Sequence, residues 1–299
     1  MRLILKPSKK AFSLIELSIV ILIIGILVAG VMQASRIVTK SRILSARTLT
    51  ISSPVASIKD LSLWLEPTLE TSFYGVTNGY NLGDGESVSA WNDINPTVPY
   101  KTNFSQSSSS ARPTYKENGI GSLPSLYFNG SSNYMAASAN AIISGSSQYT
   151  IIAVWQASNI AYGQIRTIFA QRGSSCANGY AGITTASFSL YGWSGGCADT
   201  NSSLPIASGQ NYASIYRVEN TTSNNVTLYS NGTKYGPVTK SLGTIGTALE
   251  TDIGYGFGAG GASYLQGFIS EIIVYTRALT TEEMTYIRKY LSQKYGFAA

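Results

Sequence analysis

The feature that most constrains this chain is an apolar run of 21 residues, Phe12 to Met32, which contains a single charged side chain. As a helix, the run is about 32 Å long, which matches the hydrocarbon core of a bilayer at about 30 Å. It is too long for a secretory signal peptide, and no small-x-small cleavage site follows it. No cysteine directly follows it either, which argues against a lipoprotein. The run therefore predicts a membrane-spanning helix.

The one charge in the run, Glu16, is its most informative residue. A carboxylate in hydrocarbon costs about 2.5–3.5 kcal/mol even on the more permissive insertion scale. A plain membrane anchor would more often carry Leu or Val at this position, so Glu16 requires a partner of opposite charge. A free α-amino group at Phe12 of a neighbouring copy would supply that charge at a similar depth.

The segment KKAFSLIEL, residues 9–17, resembles the prepilin signal of type IV pilins and type II secretion pseudopilins. In that family a peptidase cuts after a small residue, usually Gly, and the amine of the new first residue, usually Phe, is methylated. The resemblance implies cleavage between Ala11 and Phe12, methylation of Phe12, and a role in filament assembly for Glu16. Glu16 is the fifth residue counted from Phe12, as in the family. Ala11 departs from the usual Gly, and slower cleavage is the expected consequence.

The same resemblance implies two successive locations. The leader, residues 1–11, would lie in the cytoplasm, and residues 12–53 would form a transmembrane and amphipathic helix, single-pass in the inner membrane before assembly. The mature chain would then join a filament at the cell surface. The implied partners are other pilin subunits, the prepilin peptidase and methylase, and an inner-membrane assembly platform. Charge counting alone does not choose this orientation, because basic residues flank the apolar run on both sides.

The helix is predicted to continue beyond Met32 and to end before Pro54, because the residue that precedes a proline disfavours helical geometry. Residues 54–60 are interpreted as a linker. One side of this continuation is predicted to pack either on the exported domain or on other pilin helices. Its members, at heptad-like spacing, are Ala34, Ile37, Ser41, Leu44, Thr48 and Ile51.

Charge and composition exclude several classes of function. The net charge of +6 suggests nucleic acid, but four of the 21 basic residues lie in the leader, which leaves 17 basic against 15 acidic residues. The remaining chain has no basic run that could track phosphates, so we expect no nucleic-acid partner. The absence of His removes the usual general base and the commonest metal ligand.

From about Ile58, short β-rich runs alternate with turn signals, and this pattern predicts a single β-sandwich. The Asn231-Gly232 pair predicts a hairpin turn. Thr280 and Glu283 predict a capping box that opens a C-terminal helix. The predicted strands are Leu61–Leu65, Leu126–Phe128, Tyr149–Trp155, Arg166–Gln171, Ser187–Trp193, Tyr212–Val218, Val226–Tyr229 and Phe268–Tyr275.

The order of several short motifs in residues 61–299 resembles laminin-G-like domains. Those domains have the concanavalin A-like jelly roll, in which two antiparallel sheets pack face to face. The predicted fold is therefore a long N-terminal helix, an all-β jelly-roll sandwich and a short C-terminal helix. The motifs are Leu61–Leu65, Val88–Asp93, Ala111–Tyr115, Leu126–Gly130 and a closing strand within Gly267–Leu279.

The two cysteines, Cys176 and Cys197, would lie in an oxidising compartment after export, where a disulfide is expected. Closing a loop of about 20 residues would stabilise the fold by about 3 kcal/mol in the chain-entropy account. Two unpaired thiols are the alternative. The same loop carries Tyr191 and Trp193, which would either contact a glycan by stacking on sugar rings or fill the core of a strand. The core interpretation is favoured.

No catalytic motif stands out, and we expect that the chain is not an enzyme. Glycoside hydrolysis needs paired carboxylates, and Glu271 has no acidic residue two or five positions away. The absence of His removes the usual serine triad and zinc sites. Asp84, Asn92 and Asp93 offer oxygen ligands to calcium, but their spacing matches no defined calcium loop. No cofactor is expected, with calcium as the one alternative.

The leading hypothesis is a structural subunit of a type IV pilus-like filament, and the size of the exported domain favours a minor subunit. The first alternative is a filament-displayed, lectin-like adhesin that binds glycans or a host surface, which the jelly-roll resemblance motivates. The second is a pseudopilin of a type II secretion system. A glycan hydrolase is least favoured, because the acid pair is missing.

Overall fold

A helix of 38 residues, α1 (Leu14–Ile51), opens the part of the chain that is described. The computed structural model describes residues 13–138, 142–143, 148–172, 181–186, 189–194, 199–219, 224–240, 245, 250–258 and 261–299. The chain divides into two units, Met1–Leu44 and Ser45–Ala299, and α1 contributes to both.

In the first unit, every side chain between residues 13 and 34 is exposed, and most of these side chains are apolar. A helix that is apolar on all sides belongs in lipid or among other helices, because in water its apolar surface would stay exposed to solvent. The segment is long and apolar enough to cross a membrane. The prediction of one long apolar N-terminal helix is confirmed.

In the second unit, the last two turns of α1 pack on the domain through a different side of the helix from the predicted one. Ala46 and Thr50 are buried there, whereas Ile51 of the predicted side is 78% exposed. The side chain of Arg47 donates to the carbonyl of Thr68 and pairs with Glu70 at 2.8 Å. Of the two partners predicted for the Thr48 and Ile51 side, the domain is therefore not the one contacted, and packing on other pilin helices stays a prediction.

The segment after α1, interpreted from sequence as a linker, belongs to the packed domain. Val55 is fully buried in a short 3₁₀ turn, Val55–Ser57, and Ile58 is also buried. Tyr275 donates a hydrogen bond from its hydroxyl to the carbonyl of Val55 at 2.9 Å. Helix α1 ends at Ile51, slightly before the point that Pro54 predicts.

Nineteen strands follow within the described ranges, and all the pairings among them are antiparallel. They are β1 (Leu61–Leu65), β2 (Phe73–Gly75), β3 (Val88–Trp91), β4 (Phe104–Ser105), β5 (Thr114–Lys116), β6 (Ser125–Asn129), β7 (Met135–Ser138), β8 (Tyr149–Ala157), β9 (Ile165–Arg172), β10 (Ala181–Ala186), β11 (Ser189–Ser194), β12 (Asp199–Pro205), β13 (Asn211–Val218), β14 (Asn224–Ser230), β15 (Thr233–Lys240), β16 (Glu250–Ile253), β17 (Tyr255–Gly258), β18 (Gly261–Tyr264) and β19 (Gln266–Tyr275).

These strands form two large sheets and a separate β17–β18 hairpin. The first sheet has the order β15-β14-β13-β8-β19-β6-β5, with β1 paired to β19. The second sheet has the order β12-β11-β10-β9-β16-β7-β4-β3-β2. The predicted jelly-roll sandwich is confirmed. The predicted hairpin joins β14 to β15, and positive φ angles at Asn231 and Gly232 suit the tight turn.

The first sheet is covered on both faces, which explains why its central strands are almost continuously apolar. In β8, Ile151, Ala153 and Trp155 face the second sheet, within the main core. Ile152 and Val154 alternate with them and belong to a second core beneath the C-terminal helix.

That C-terminal helix, α2 (Thr281–Tyr295), begins and ends as the sequence predicts. The Thr280 hydroxyl accepts a hydrogen bond from the backbone N–H of Glu283, and a Glu283 carboxylate oxygen accepts one from the N–H of Thr280. Gly296 closes the helix with a left-handed backbone conformation, which glycine adopts without steric cost. Ile287 and Leu291 seat the helix in the second core.

Replacing Thr280 by Ala is expected to lower the free energy of unfolding by about 1 kcal/mol, because one helical N–H loses its acceptor. Denaturant unfolding followed by circular dichroism would measure the change. The matched control is Thr285→Ala in the exposed middle of α2, where Ala favours the helix and no loss is expected. Equal losses in the two variants would contradict the capping role.

Candidate functional site

The N-terminal site is a carboxylate on an otherwise apolar helical surface. Glu16 lies in the first turn of α1, and one of its oxygens accepts a hydrogen bond from the backbone N–H of Ser13 at 2.9 Å. Among the described residues, no basic side chain pairs with Glu16. Ala11 and Phe12 lie outside the described residues, so cleavage and methylation there stay predictions.

A second cluster of charged side chains lies buried in the domain, beneath α2. Glu271 of β19 accepts hydrogen bonds from Trp64 Nε1 at 2.9 Å, Lys294 Nζ at 2.9 Å and the hydroxyls of Tyr290 at 2.9 Å and Tyr295 at 2.8 Å. Both oxygens of this carboxylate therefore accept two hydrogen bonds each.

Lys294 joins Glu271 to a second acid, Glu66, whose Oε2 lies 3.0 Å from Nζ. Glu66 also accepts from the N–H groups of Thr68 at 2.9 Å and Leu69 at 2.6 Å, and from the Ser72 hydroxyl at 2.7 Å. Burial alone would raise the pKa of Glu66, but Lys294 and these N–H groups outweigh it and hold the pKa below its ordinary value of 4.5. We refer to Glu66, Glu271 and Lys294 as the buried triad.

The buried triad gives Glu271 an acidic neighbour that the sequence did not predict, but its geometry is not that of a reaction centre. The sequence prediction considered only acids on the strand of Glu271, whereas Glu66 follows β1. Glu66 and Lys294 side chains are both fully buried, and the Glu271 side chain is 1% exposed. A general acid must hold a proton that it can give to a substrate. Both carboxylates are instead enclosed around the Lys294 ammonium, away from solvent.

The second sheet presents a row of mostly small residues on its outer face. The residues in this outer-face row lie opposite one another across seven strands, in the order Tyr74, Ala90, Ser105, Ala136, Asp252, Ala170 and Gly182. Their neighbours along the strands, such as Trp91, Phe169 and Ile183, belong to the main core. Because successive residues of a strand point to opposite faces, the row lies away from that core.

The outer-face row is open at its β2 end. Tyr74 is 43% exposed, Ser105 is exposed, and Ala90 and Ala136 are half-buried. Asp252 and Ala170, further along the row, are buried. A floor of alanine and serine beside an exposed aromatic ring can accommodate a flat ligand lying against the sheet.

Tyr191 and Trp193, singled out from the sequence, lie on β11, where Tyr191 is paired with Thr184 and Trp193 with Gly182. The glycan contact and the core interpretation both stay predictions. Cys176 and Cys197 lie outside the described residues, and the disulfide likewise stays a prediction.

The three residues considered for calcium are occupied by separate partners. Asp84 accepts from the N–H of Glu117 at 2.9 Å, and the Asn92 amide donates to the carbonyl of Thr71 at 2.7 Å. Asp93 accepts from three backbone N–H groups, and its burial raises its pKa although those N–H groups oppose the shift. Within the described ranges, no group of three or more acidic or thiol side chains is arranged for a metal ion.

Models of known protein families match both parts of the chain, the N-terminal helix and the β domain. The model of the family described as the concanavalin A-like lectin/glucanases superfamily matches residues 129–285. The model of the prokaryotic N-terminal methylation motif matches residues 6–32. Among curated proteins, none matches the chain.

Solved structures share the fold at low sequence identity. A Trypanosoma rangeli sialidase in complex with sialic acid matches with a TM-score of 0.50 and 14% identity, over 79% of this chain and 33% of the sialidase chain. The binding domain of Paraclostridial Mosquitocidal Protein 1 matches with a TM-score of 0.50 and 17% identity, over 74% of this chain and 52% of that chain. The chain thus spans about a third to a half of the length of these structures, and the likeness concerns the fold.

Proposed function

Because the chain belongs to the concanavalin A-like lectin/glucanases superfamily and carries a prokaryotic N-terminal methylation motif, we propose that it is a subunit of a type IV pilus-like filament that displays this domain at the cell surface. The observation that carries the proposal is Glu16, an acid on a fully exposed apolar helix, five residues into the chain that cleavage after Ala11 would leave.

In this proposal the helix exchanges lipid for other helices. Before assembly, α1 anchors the chain in the inner membrane, where placing the Glu16 carboxylate in hydrocarbon costs about 2.5–3.5 kcal/mol of free energy. In the filament, the methylated amine of Phe12 on a neighbouring subunit lies near Glu16. That pair removes the uncompensated charge and fixes the axial register between subunits. The acid therefore favours assembly over the membrane-bound state.

The processing step can be tested at Ala11. Ala11→Glu is expected to block cleavage, because the peptidase requires a small residue, and Ala11→Gly is expected to be cleaved at least as fast as the wild-type chain. Mass spectrometry of the N-terminal peptide from filaments and membranes would show whether the chain begins at Phe12 and carries one added methyl group. A surface-exported wild-type chain that keeps residues 1–11 would contradict the proposal.

We assign a minor, non-enzymatic role to the subunit. Its domain is large for a repeating coat, and the carboxylates of the buried triad are engaged in holding the fold. Electron microscopy of purified surface filaments, with quantification of their subunits, would test the minor role. A deletion strain with normal filaments but lower levels of secreted enzymes would favour a secretion pseudopilin instead.

We also propose that the domain binds carbohydrate. The supporting observation is the open β2 end of the outer-face row, where Ala90, Ser105 and Ala136 lie beside the exposed ring of Tyr74. In this role the filament carries a lectin-like module to glycans on a surface. A glycan array probed with the detergent-purified full chain would test it, and absence of binding to every glycan would contradict it.

A further inference from the structure

Arg166 is a half-buried cation without a carboxylate partner among the described residues. Its Nη1 donates to the backbone carbonyl of Tyr264 at 3.2 Å, and its Nη2 donates to Gln164 Oε1 at 2.6 Å. Its Nε is buried and has no hydrogen-bond partner in the described part of the chain. A guanidinium has five N–H donors, so most of its capacity is not engaged by these two bonds.

Three other arginines of the domain are paired with carboxylates. Arg47 lies 2.8 Å from Glu70, Arg217 lies 2.7 Å from Glu219, and Arg277 pairs with Glu283. Arg112, like Arg166, donates to backbone carbonyls, but Arg166 also has the unsatisfied Nε. Leaving a buried donor unsatisfied costs about 1–3 kcal/mol, and more for a charged group. Burial also lowers the pKa of Arg166 from its ordinary value. Because the residue is only half-buried, we infer that its Nη groups take a further acceptor from outside the chain.

A group of three tyrosines lies beside Arg166. The ring centroids of Tyr264 and Tyr255 are 4.7 Å apart, and those of Tyr255 and Tyr134 are 5.3 Å apart. All three residues are half-buried, so each keeps part of its surface open. Tyr134 stands two residues before Ala136, so this tyrosine group borders the outer-face row.

The β17–β18 hairpin holds the tyrosine group against β9. The hydroxyls of Thr167 and Ser263 lie 3.0 Å apart, and the backbone N–H of Gly254 donates to the carbonyl of Ile168 at 3.0 Å. These bonds fix the hairpin on the strand that carries Arg166. The hairpin that carries Tyr255 and Tyr264 is therefore held beside the strand that carries Arg166, and a binding site requires such fixed elements.

We propose that Arg166 and the tyrosine group, Tyr134, Tyr255 and Tyr264, bind a sugar unit that carries a carboxylate. The planar guanidinium matches a carboxylate with two parallel hydrogen bonds, which an ammonium cannot do. Aromatic rings offer apolar faces to the C–H side of a pyranose ring, while their hydroxyls reach its polar groups. This inference rests on the carbohydrate-binding role proposed above and specifies acidic glycans within it.

The test compares acidic ligands with neutral forms of the same backbone, using the full chain in detergent. The probes are oligogalacturonate against its methyl ester and sialyllactose against lactose. Sulfated against desulfated chondroitin, both of which keep the glucuronate carboxylate, tests separately for a preference for sulfate. Calorimetry or fluorescence titration gives the affinity for each. We expect at least one carboxylate ligand to bind about 10- to 100-fold more tightly than its neutral form, the range for a hydrogen bond to a charged group.

Arg166→Gln is expected to remove this preference and to leave binding of the neutral form unchanged. Lys234→Gln, an exposed position on β15 with the same change in net charge, is the control and should keep the preference. If Arg166→Gln does not fold, the comparison of acidic and neutral ligands on the wild-type chain still decides the inference.

The remaining outcomes separate the two levels of the proposal. Equal binding of acidic and neutral forms would overturn the acidic-sugar site and leave carbohydrate binding intact. Preference for sulfated over desulfated chondroitin with no carboxylate preference would overturn the carboxylate assignment. No binding of any glycan would overturn both.

Discussion

Replacing Lys294 by Met is expected to lower the free energy of unfolding by about 3–5 kcal/mol, because removing one member of a buried ion pair leaves an uncompensated buried charge. Here two carboxylates, Glu66 and Glu271, lose their shared cation at once. The loss should appear as a lower transition midpoint in denaturant unfolding of the full chain in detergent at neutral pH.

The pH dependence gives this prediction a second, independent readout. The folded-state pKa of Glu66 is lowered from 4.5, so its contribution is present above that pH and is lost as the pH falls through the folded-state value. In Lys294→Met, Glu66 keeps its burial without the cation, which raises its pKa. The deficit of the variant relative to the wild type should therefore shrink as the pH falls below about 5.

Lys289→Met is the matched control, since Lys289 lies on the same helix but is exposed. It should change stability by less than about 0.5 kcal/mol, as surface substitutions usually do. Adding Glu271→Gln to Lys294→Met should recover part of the loss by removing one buried charge. If Lys294→Met is as stable as Lys289→Met at neutral pH, the buried triad does not contribute as described.

Replacing Glu16 by Gln is expected to remove the chain from surface filaments while leaving it in the membrane. The substitution keeps the size of the side chain and removes its charge, so the pairing with a neighbouring Phe12 amine is lost. The same change lowers the cost of residing in hydrocarbon, where a carboxylate costs about 2.5–3.5 kcal/mol. Membrane retention and filament incorporation should therefore move in opposite directions.

Immunoblots of sheared filaments and of membrane fractions would measure both quantities. Ser18→Ala, two residues along the same helix, is the control and should assemble normally. Cleavage at Ala11 should be the same in both variants, which separates processing from assembly. Incorporation of Glu16→Gln at the wild-type level would refute the charge-pairing mechanism.

Strands with strong apolar runs were predictable, and strands of small or polar residues were not. The predicted runs in β1, β8 and β19 lie within observed strands because both faces of the first sheet are covered. Strands β12 and β16, with the sequences DTNSSLP and ETDI, carry little apolar signal. They form because the two sheets pair them with neighbours, a cause that no local window contains.

Site residues were likewise predictable only where their separation along the chain is short. Glu16 is found by its distance from Phe12 along the chain. In contrast, Lys294 and Glu66 are 228 residues apart, and only the fold brings them together. Arg166 was read as a strand residue, since the lack of a carboxylate partner is a property of three-dimensional surroundings.

The packing of the last turns of α1 into the domain has a mechanical consequence. The Thr50 hydroxyl lies 3.4 Å from Glu66 Oε2 and 3.3 Å from the Tyr290 hydroxyl. The Arg47 side chain donates a hydrogen bond to the carbonyl of Thr68, in the segment after β1. In the proposed filament, tension would therefore act on residues that belong to the folded domain, and residues 52–60 would not act as a free linker.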